Sequence, residues 1–401
     1  MVSDAFWPYH IGGITKSLLT EVEGFVARGH QVVVVSRRLR KDLPFHEVRK
    51  GYEIYYYDSP DENGIFYRIY PFFSIIKLPN LVSKLQDSDF DVIYVHNPFQ
   101  MIGLQRVCFG TPIIYVFHAP TPVEIEIDAQ RGKYGFFSFG LRFINLFIKM
   151  IEHRALRQAT LVLVRSNFMK EEIKRLYIDV DYSKLFVIPL AIDTTHFNFI
   201  SNPKRGRKNL GLPEDRWILL TVRRLVARMG LENLINAMKL VKKEHSQALL
   251  LIGGKGYLEN TLRELIRSHG LEQSVRLLGL IPEEKLASYY QAADLFVLPT
   301  RELEGFGLVT LEALSCGTPV IATPVGANLE VVGPLGGEFL CKDTTPEALA
   351  ERISYWLSRG ISAEVRQACR DYCVSRFAVE SVIADLENLF IEAIKRKGNK
   401  C

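Results

Sequence analysis

The chain has 401 residues, 48% of them apolar and 24% charged, which is enough for two or three soluble domains and excludes disordered, collagen-like and disulfide-scaffold chains. Fifty Lys and Arg against 45 Asp and Glu give a formal charge of +5. That excess is too mild to argue for nucleic acid, and it is compatible with anionic small molecules or an anionic membrane surface.

In chain order, β-branched and aromatic runs alternate with amphipathic stretches. Strands are predicted at 31–36, 91–96, 112–118, 160–165 and 185–189, after a very short first strand at 1–3 that ends at Asp4. Such a short strand implies either a trimmed strand or a start that has lost a few residues. Ile14, Leu18, Val22, Phe25 and Val26 fall on one helical face, and Gly29 supplies the stop. The polar stretch 201–208 (SNPKRGRK) reads as a linker. Beyond it, strands are predicted at 217–222, 248–252, 275–280, 294–298 and 319–322, with helices near 231–244, 259–268, 283–293 and 307–315. Continuous apolar strands indicate parallel sheets covered on both faces, so two doubly wound α/β domains facing one another are expected.

The six cysteines include no C-x-x-C pair, so neither a disulfide framework nor a zinc site is expected. Cys369 and Cys373, one helical turn apart, read as two small apolar residues. No secretory leader opens the chain and no apolar run approaches about 18 residues, so a cytoplasmic setting is the expectation. Asp179-Val180-Asp181 invites comparison with metal-binding D-x-D sequences, but its polar surroundings favour an ordinary turn.

The most informative stretch is 301–330. Its first part leaves a strand, turns through Gly305-Phe306-Gly307 and enters a helix. Glycines at such a turn let backbone N–H groups approach a phosphate, and the helix N-terminus adds a favourable dipole. Glu312 falls about 6 Å further along the axis than Leu308, where it could reach sugar hydroxyls. Glu304 lies just before the turn, where a carboxylate could face a reacting centre. Each feature alone has a bland explanation. Joined to Cys316-Gly317-Thr318-Pro319-Val320, the segment EGFGLVTLEALSCGTPVIAT resembles the signature of family 4 retaining glycosyltransferases, which adopt the GT-B fold.

The resemblance spans nearly the whole chain. Pro8 to Ile14 resembles the family's Gly-Gly loop, which implies that backbone at Gly12 and Gly13 approaches the donor diphosphate. His118, ending a predicted strand, matches the active-site histidine near the donor sugar, with His96 a weaker candidate. Val222-Arg223-Arg224-Leu225 followed by Gly230 resembles the donor-phosphate element. There Arg224 keeps the arginine, but Arg223 stands where glycine is usual and Met229 where lysine is usual, leaving Arg228 as the substitute cation. Gly253-Gly254-Lys255-Gly256 resembles the second glycine loop, and the segment at Ile281 the one that reads the nucleotide base. Leu190-Ala191-Ile192-Asp193 is similar to the element at the domain junction.

The resemblance implies a hexose donated from a nucleotide diphosphate, UDP or GDP, to a hydroxyl of a glycan or lipid-linked acceptor, with no required metal or other cofactor. The donor would meet Gly254, Ile281, Phe306, Gly307, Leu308, Val309 and Glu312, with Glu304 and His118 at the sugar. An acceptor-binding domain at 1–197 and a donor-binding domain at 198–375 follow, with a helix at about 376–401 packing back onto the first. Two rivals are a GT-B phosphorylase, which would need pyridoxal phosphate and a Schiff-base lysine, and a two-lobed sugar-binding protein without catalysis. Two amphipathic aromatic and basic stretches, 67–85 and 136–151, read first as core packing. Their alternative is contact with a membrane surface, with Arg142, Asn145 and Lys149 along one side of the second. The basic triplet 395–397 reads as a solvated helix end.

Overall fold

A computed structural model describes residues 1–10, 12–61, 64, 67–85, 90–108, 110–130 and 138–398. Phe136 and Phe137 of the second amphipathic stretch, and Ile11 of the Gly-Gly segment, lie outside the described residues. The fold is α/β and divides into two compact units. One comprises Met1–Val123, Phe139–Ala191 and Val379–Cys401, and the other Glu124–Ser138 and Ile192–Ala378.

In the first unit the apolar runs become β1 (Val2–Ser3), β2 (Val32–Arg38), β3 (His46–Arg49), β4 (Tyr52–Asp58), β5 (Ile93–Val95), β6 (Ile113–Phe117), β7 (Leu161–Val164) and β8 (Leu185–Val187). These described strands form one sheet in the order β3-β4-β2-β1-β5-β6-β7-β8. It is parallel except where β3 runs against β4. Although only two residues long, β1 is central, since Val2 pairs with both Val35 and Val95. Every residue of β5, β6 and β7 is buried, as a parallel sheet covered on both faces requires. The cover on one part of the core comes from Leu18, Val22 and Phe25 of the helix Gly13–Ala27 and from Val382, Ile383, Leu386 and Leu389 of the helix Val379–Gly398. These two helices approach so closely that a Cβ on Gly24 would sit 2.6 Å from Ile383 Cγ1. Ile14, expected on the same buried face, is exposed instead, because it falls in the first turn of its helix.

The second unit contains β9 (Trp217–Val222), β10 (Ala248–Gly253), β11 (Val275–Gly279), β12 (Leu295–Leu298) and β13 (Val320–Ala322), all parallel, in the order β11-β10-β9-β12-β13. The helices Leu231–Glu244, Glu259–Ser268, Glu283–Ala292 and Leu308–Ser315 connect them. Cys369 and Cys373 are buried in the helix Ala363–Phe377, and burial pushes both thiols up to about 12, so they act as small apolar groups.

The stretch 201–208 is not a linker. It carries a short helix, Lys204–Arg207, and Arg207 is fully buried in the second unit. Its guanidinium donates to Ala292 O at 3.0 Å, Arg216 O at 2.8 Å and the Asp294 carboxylate at 2.7 Å. Removing one partner of a buried pair leaves the other charge uncompensated. Arg207→Ala is therefore expected to destabilise the protein by about 3–5 kcal/mol, read as a shift in urea midpoint, and a shift under about 1 kcal/mol would contradict it.

Candidate active site

In an open parallel sheet, ligands bind beyond the carboxyl ends of the strands where the strand order reverses. In the second unit that point lies between β9 and β12, which pair with each other while their connections lead to opposite sides. The loops leaving these two strands carry Arg223 and Arg224 on one side and Thr300 to Gly307 on the other. Three side chains meet there. Arg223 Nη2 donates to Glu304 Oε2 at 2.5 Å, its Nη1 donates to Thr300 Oγ1 at 2.6 Å, and Thr300 Oγ1 donates to the same Oε2 at 2.7 Å. Burial alone would raise the Glu304 carboxyl pKa, but the charge and hydrogen bond of Arg223, the Thr300 hydroxyl and the nearby charge of Arg228 outweigh it and leave it below the ordinary carboxylate value.

Two glycines shape this region. Gly254, at φ +134°, follows β10, and a Cβ there would lie 1.8 Å from Arg223 O, so only glycine lets the two loops touch. Gly307 is left-handed (φ +86°) and precedes the helix Leu308–Ser315; Thr310 N donates to Gly307 O, while the amides of Leu308 and Val309 come too early in the helix for an intrahelical acceptor. Leu308 and Val309 are half-buried, so this helix start is within reach of solvent. Phe306 points the other way, its ring packed edge-on to Phe377, so only its backbone faces the turn. Glu312 is buried and accepts from Tyr290 Oη at 2.7 Å. Ile281 is buried against Gly253, where a Cβ would come within 2.5 Å of its Cδ1.

The two expected cations differ. The Arg224 side chain is 64% exposed and lies 3.8 Å from the Glu124 carboxylate. Arg228 is buried and committed: it donates to Glu124 Oε1 at 2.6 Å and to the carbonyl of Leu303 at 3.0 Å, a residue in the left-handed region at φ +56°. Met229 is buried.

In the first unit, His96 Nδ1 and His118 Nε2 lie 3.0 Å apart, with rings stacked at a 5.2 Å centroid distance. Burial first, and then the buried Arg165 charge, lower both imidazole pKa values, together bringing that of His118 to about 3. Both rings are therefore neutral at pH 7. His96 Nε2 is buried without a hydrogen-bond partner. A proton there would be an orphaned donor, so the favoured tautomer puts it on Nδ1, donating to His118 Nε2 and leaving Nδ1–H of His118 as a donor. Unfolded imidazoles take a proton near pH 6.5, whereas folded His118 resists until about 3. The unfolded state thus binds more protons in that window, and stability falls as pH drops through it. The slope is up to about 1.4 kcal/mol per pH unit for each such ring. His118→Asn should flatten it, as measured by urea midpoints at pH 7 and pH 5; an unchanged slope would contradict the neutral assignment.

Near the Gly-Gly loop, Asp4 at the end of β1 accepts from Asn97 Nδ2 at 2.5 Å and Tyr70 Oη at 3.3 Å and pairs with Arg37 at 3.6 Å. A Cβ on Gly13 would meet no atom within 4 Å, so nothing inside the unit demands glycine there. Asp181 accepts from the amide and hydroxyl of Ser183, capping a turn. Among the described residues no group of three or more His, Cys, Asp or Glu could hold a metal ion. Sequence reasoning missed Thr300, Glu124, Tyr290 and the Asp4 cluster; it flagged Arg223 only as a departure from glycine.

Two parallel-sheet Rossmann-like units with glycine turns at strand ends are the architecture of GT-B glycosyltransferases, and similarity to known proteins agrees. A family model for glycosyl transferases group 1 matches residues 204–373, and one for glycosyltransferase family 4 matches residues 11–196. The chain belongs to this family and is a glycosyltransferase. It is 28% identical over 99% of both chains to an uncharacterized glycosyltransferase of Methanocaldococcus jannaschii. It is 35% identical to a GDP-mannose-dependent monoacylated alpha-(1-6)-phosphatidylinositol monomannoside mannosyltransferase of Corynebacterium glutamicum, over 37% of this chain and 41% of that one. Among solved structures, HepE of Anabaena in complex with UDP and glucose superposes with a TM-score of 0.74 at 18% identity, covering 98% of each chain. A sucrose-phosphate synthase of Thermosynechococcus elongatus gives 0.78 at 22% identity, covering 95% of this chain and 93% of that one.

Proposed function

We propose that the protein transfers a hexose from a nucleoside diphosphate sugar to a hydroxyl of a glycan or lipid-linked acceptor, with retention at the anomeric carbon. The second unit takes the donor and the first the acceptor. The observation that carries this reading is the buried, ionised Glu304 carboxylate held at the turn before the helix Leu308–Ser315. Glu304 orients the donor sugar through its hydroxyls. Arg224, Arg228 and the backbone amides of Leu308 and Val309 take the diphosphate, with backbone at Gly254, Phe306 and Gly307 approaching it. Glu312 takes the ribose and the segment at Ile281 the base. Neutral His118 donates a hydrogen bond to the sugar or its phosphate.

In the reaction the bond from the anomeric carbon to the diphosphate oxygen breaks while the acceptor oxygen bonds on the same face, and the acceptor proton passes to the departing phosphate oxygen. Guanidinium groups and helix-start amides neutralise the leaving group, so no divalent cation is required. A nucleotide donor is supported by HepE, solved with UDP, and by the corynebacterial relative, named for GDP-mannose. The test is a melting-temperature screen with UDP-glucose, GDP-mannose and ADP-glucose in EDTA, followed by NMR of the product anomer. One donor should raise the melting temperature, since ligands of the folded state alone stabilise it. An inverted anomer would refute retention, and no stabilisation by any donor would refute the donor assignment.

A lipid-linked acceptor is favoured by a specific surface of the first unit. The two amphipathic stretches do not simply fill the core: Phe72 and Ile76 of the helix Tyr70–Leu85, and Phe143, Ile144, Leu146 and Met150 of the helix Ser138–Gln158, are exposed. Lys77, Arg142 and Lys149 are exposed beside them, while Asn145 turns inward and donates to Pro122 O. Apolar rows flanked by cations suit a peripheral position on an anionic bilayer surface. Among the described residues no helix is long and apolar enough to cross a membrane. Phe143→Glu should fold normally and lower co-sedimentation with anionic liposomes several-fold. Phe147→Glu should destabilise the unit instead, because that ring packs on Phe72 and Phe99. Phe143→Glu binding liposomes as well as wild type would return these helices to a packing role.

A further inference from the structure

Arg223 stands where the resemblance expects glycine, and it is buried at the carboxyl end of β9. Its side chain closes a ring of three hydrogen bonds with Thr300 and Glu304, and both bonds to the carboxylate land on one oxygen, Oε2. The other oxygen, Oε1, lies on the side of Gly307, 3.6 Å from where a Cβ on that glycine would be. The backbones bearing the ring are pinned as well. Arg223 N donates to Gly253 O, Ala327 N donates to Glu304 O, and Thr323 Oγ1 donates to Thr300 O at 2.6 Å.

We propose that Arg223 is a positioning residue that grips Glu304 by Oε2 and so fixes Oε1 as the oxygen offered to a hydroxyl of the donor hexose. This rests on the reading of Glu304 given above. A carboxylate on a flexible side chain would otherwise rotate and exchange its oxygens, and loss of alignment at a reacting centre lowers turnover more than binding. Arg223 also keeps the buried group charged. The charges facing it are those of Arg223 and Arg228, with the start of the helix Leu308–Ser315 adding a partial positive charge. Because its guanidinium is spent on Glu304 and Thr300, Arg223 is not one of the diphosphate cations.

The experiment compares Arg223→Ala, Arg223→Lys, Thr300→Val and Glu304→Gln in the full chain. It uses UDP-glucose and GDP-mannose for turnover and UDP and GDP for calorimetric binding. Arg223→Ala should lose about 100-fold in kcat while nucleoside diphosphate affinity stays within about twofold. Arg223→Lys should recover about 10-fold of that loss. Independently of turnover, the Glu304 titration can be read from the pH dependence of melting temperature of each Glu304 parent less that of its Glu304→Gln counterpart. It should move to higher pH in Arg223→Lys and Thr300→Val, variants that keep the packing if Arg223→Ala does not fold. Wild-type turnover in Arg223→Ala, an unmoved titration, or diphosphate affinity falling in step with kcat would each overturn the assignment. If Glu304→Gln itself turns over normally, the reading of Glu304 fails. If Glu304→Gln is inactive and Arg223→Ala is not, only the role of Arg223 fails.

Discussion

Glu304→Gln is expected to lower sugar transfer by at least about 100-fold, the usual cost of removing one well-placed hydrogen bond from a transition state, while the protein stays folded and melts below wild type, because buried Arg223 loses its counter-charge. The amide keeps an acceptor for Arg223 and Thr300, so the ring of hydrogen bonds survives in part and only the negative charge disappears. Glu304→Ala should be at least as inactive but also less stable. It strands the Arg223 guanidinium in a buried site, and breaking such a pair typically costs about 3–5 kcal/mol. The glutamine variant is therefore the clean probe, with initial rates compared in protein whose folding has been checked by melting. Near-normal rates in folded Glu304→Gln would remove Glu304 from the chemistry.

The parts of this molecule that were legible from sequence are those fixed by local pattern. The helices Leu231–Glu244 and Glu259–Ser268 fall where their spacing predicts, because a 3.6-residue apolar rhythm ends at a polar or glycine-marked boundary. The strands β9 and β10 are continuous apolar runs with nothing to confuse them. The hairpin β3–β4 was missed, since its strands mix charge with aromatic residues. Its turn, Lys50-Gly51, has positive φ at both positions but lacks the usual Asn or Asp signal. Other misses were non-local. Four basic residues in 201–208 read as solvent-facing because the acceptor that buries Arg207, Asp294, is 87 residues away. In the same way Arg223 and Glu304 are 81 residues apart, and only the sheet order brings the ends of β9 and β12 together. On the helix Ser138–Gln158, amphipathic spacing could not separate a core face from a surface one; Phe147 packs while Phe143, four residues earlier, is exposed. The partners that set the charge of Glu304, namely Arg223 and Thr300, do not appear in its motif.

The second large effect is expected at the diphosphate cations. A nucleoside diphosphate concentrates negative charge, and a helix start supplies only about half a unit of positive charge, so side-chain guanidinium groups must share the rest. Arg224 is mostly exposed, and its nearest carboxylate, Glu124, is 3.8 Å away, so it can turn to a phosphate at little cost. Arg228 must first exchange Glu124, held at 2.6 Å, for the phosphate, which makes its net contribution the smaller of the two. Charge-assisted hydrogen bonds contribute about 1.5–3 kcal/mol, equivalent to about 10- to 100-fold in affinity. Arg224→Ala is therefore expected to weaken UDP or GDP binding at the upper end of that range, and Arg228→Ala at the lower end. The latter also frees the Leu303 carbonyl that Arg228 braces. Met229→Lys should bring little gain: the site is buried, so a new ammonium must either lose its water or swing away from the phosphates. Calorimetric titration of UDP and GDP decides between the two arginines and the vacant lysine position. Wild-type affinity in Arg228→Ala together with much tighter binding in Met229→Lys would mean that Arg228 serves Glu124 and Leu303 alone, and that Arg224 and the helix start carry the leaving group without a second cation.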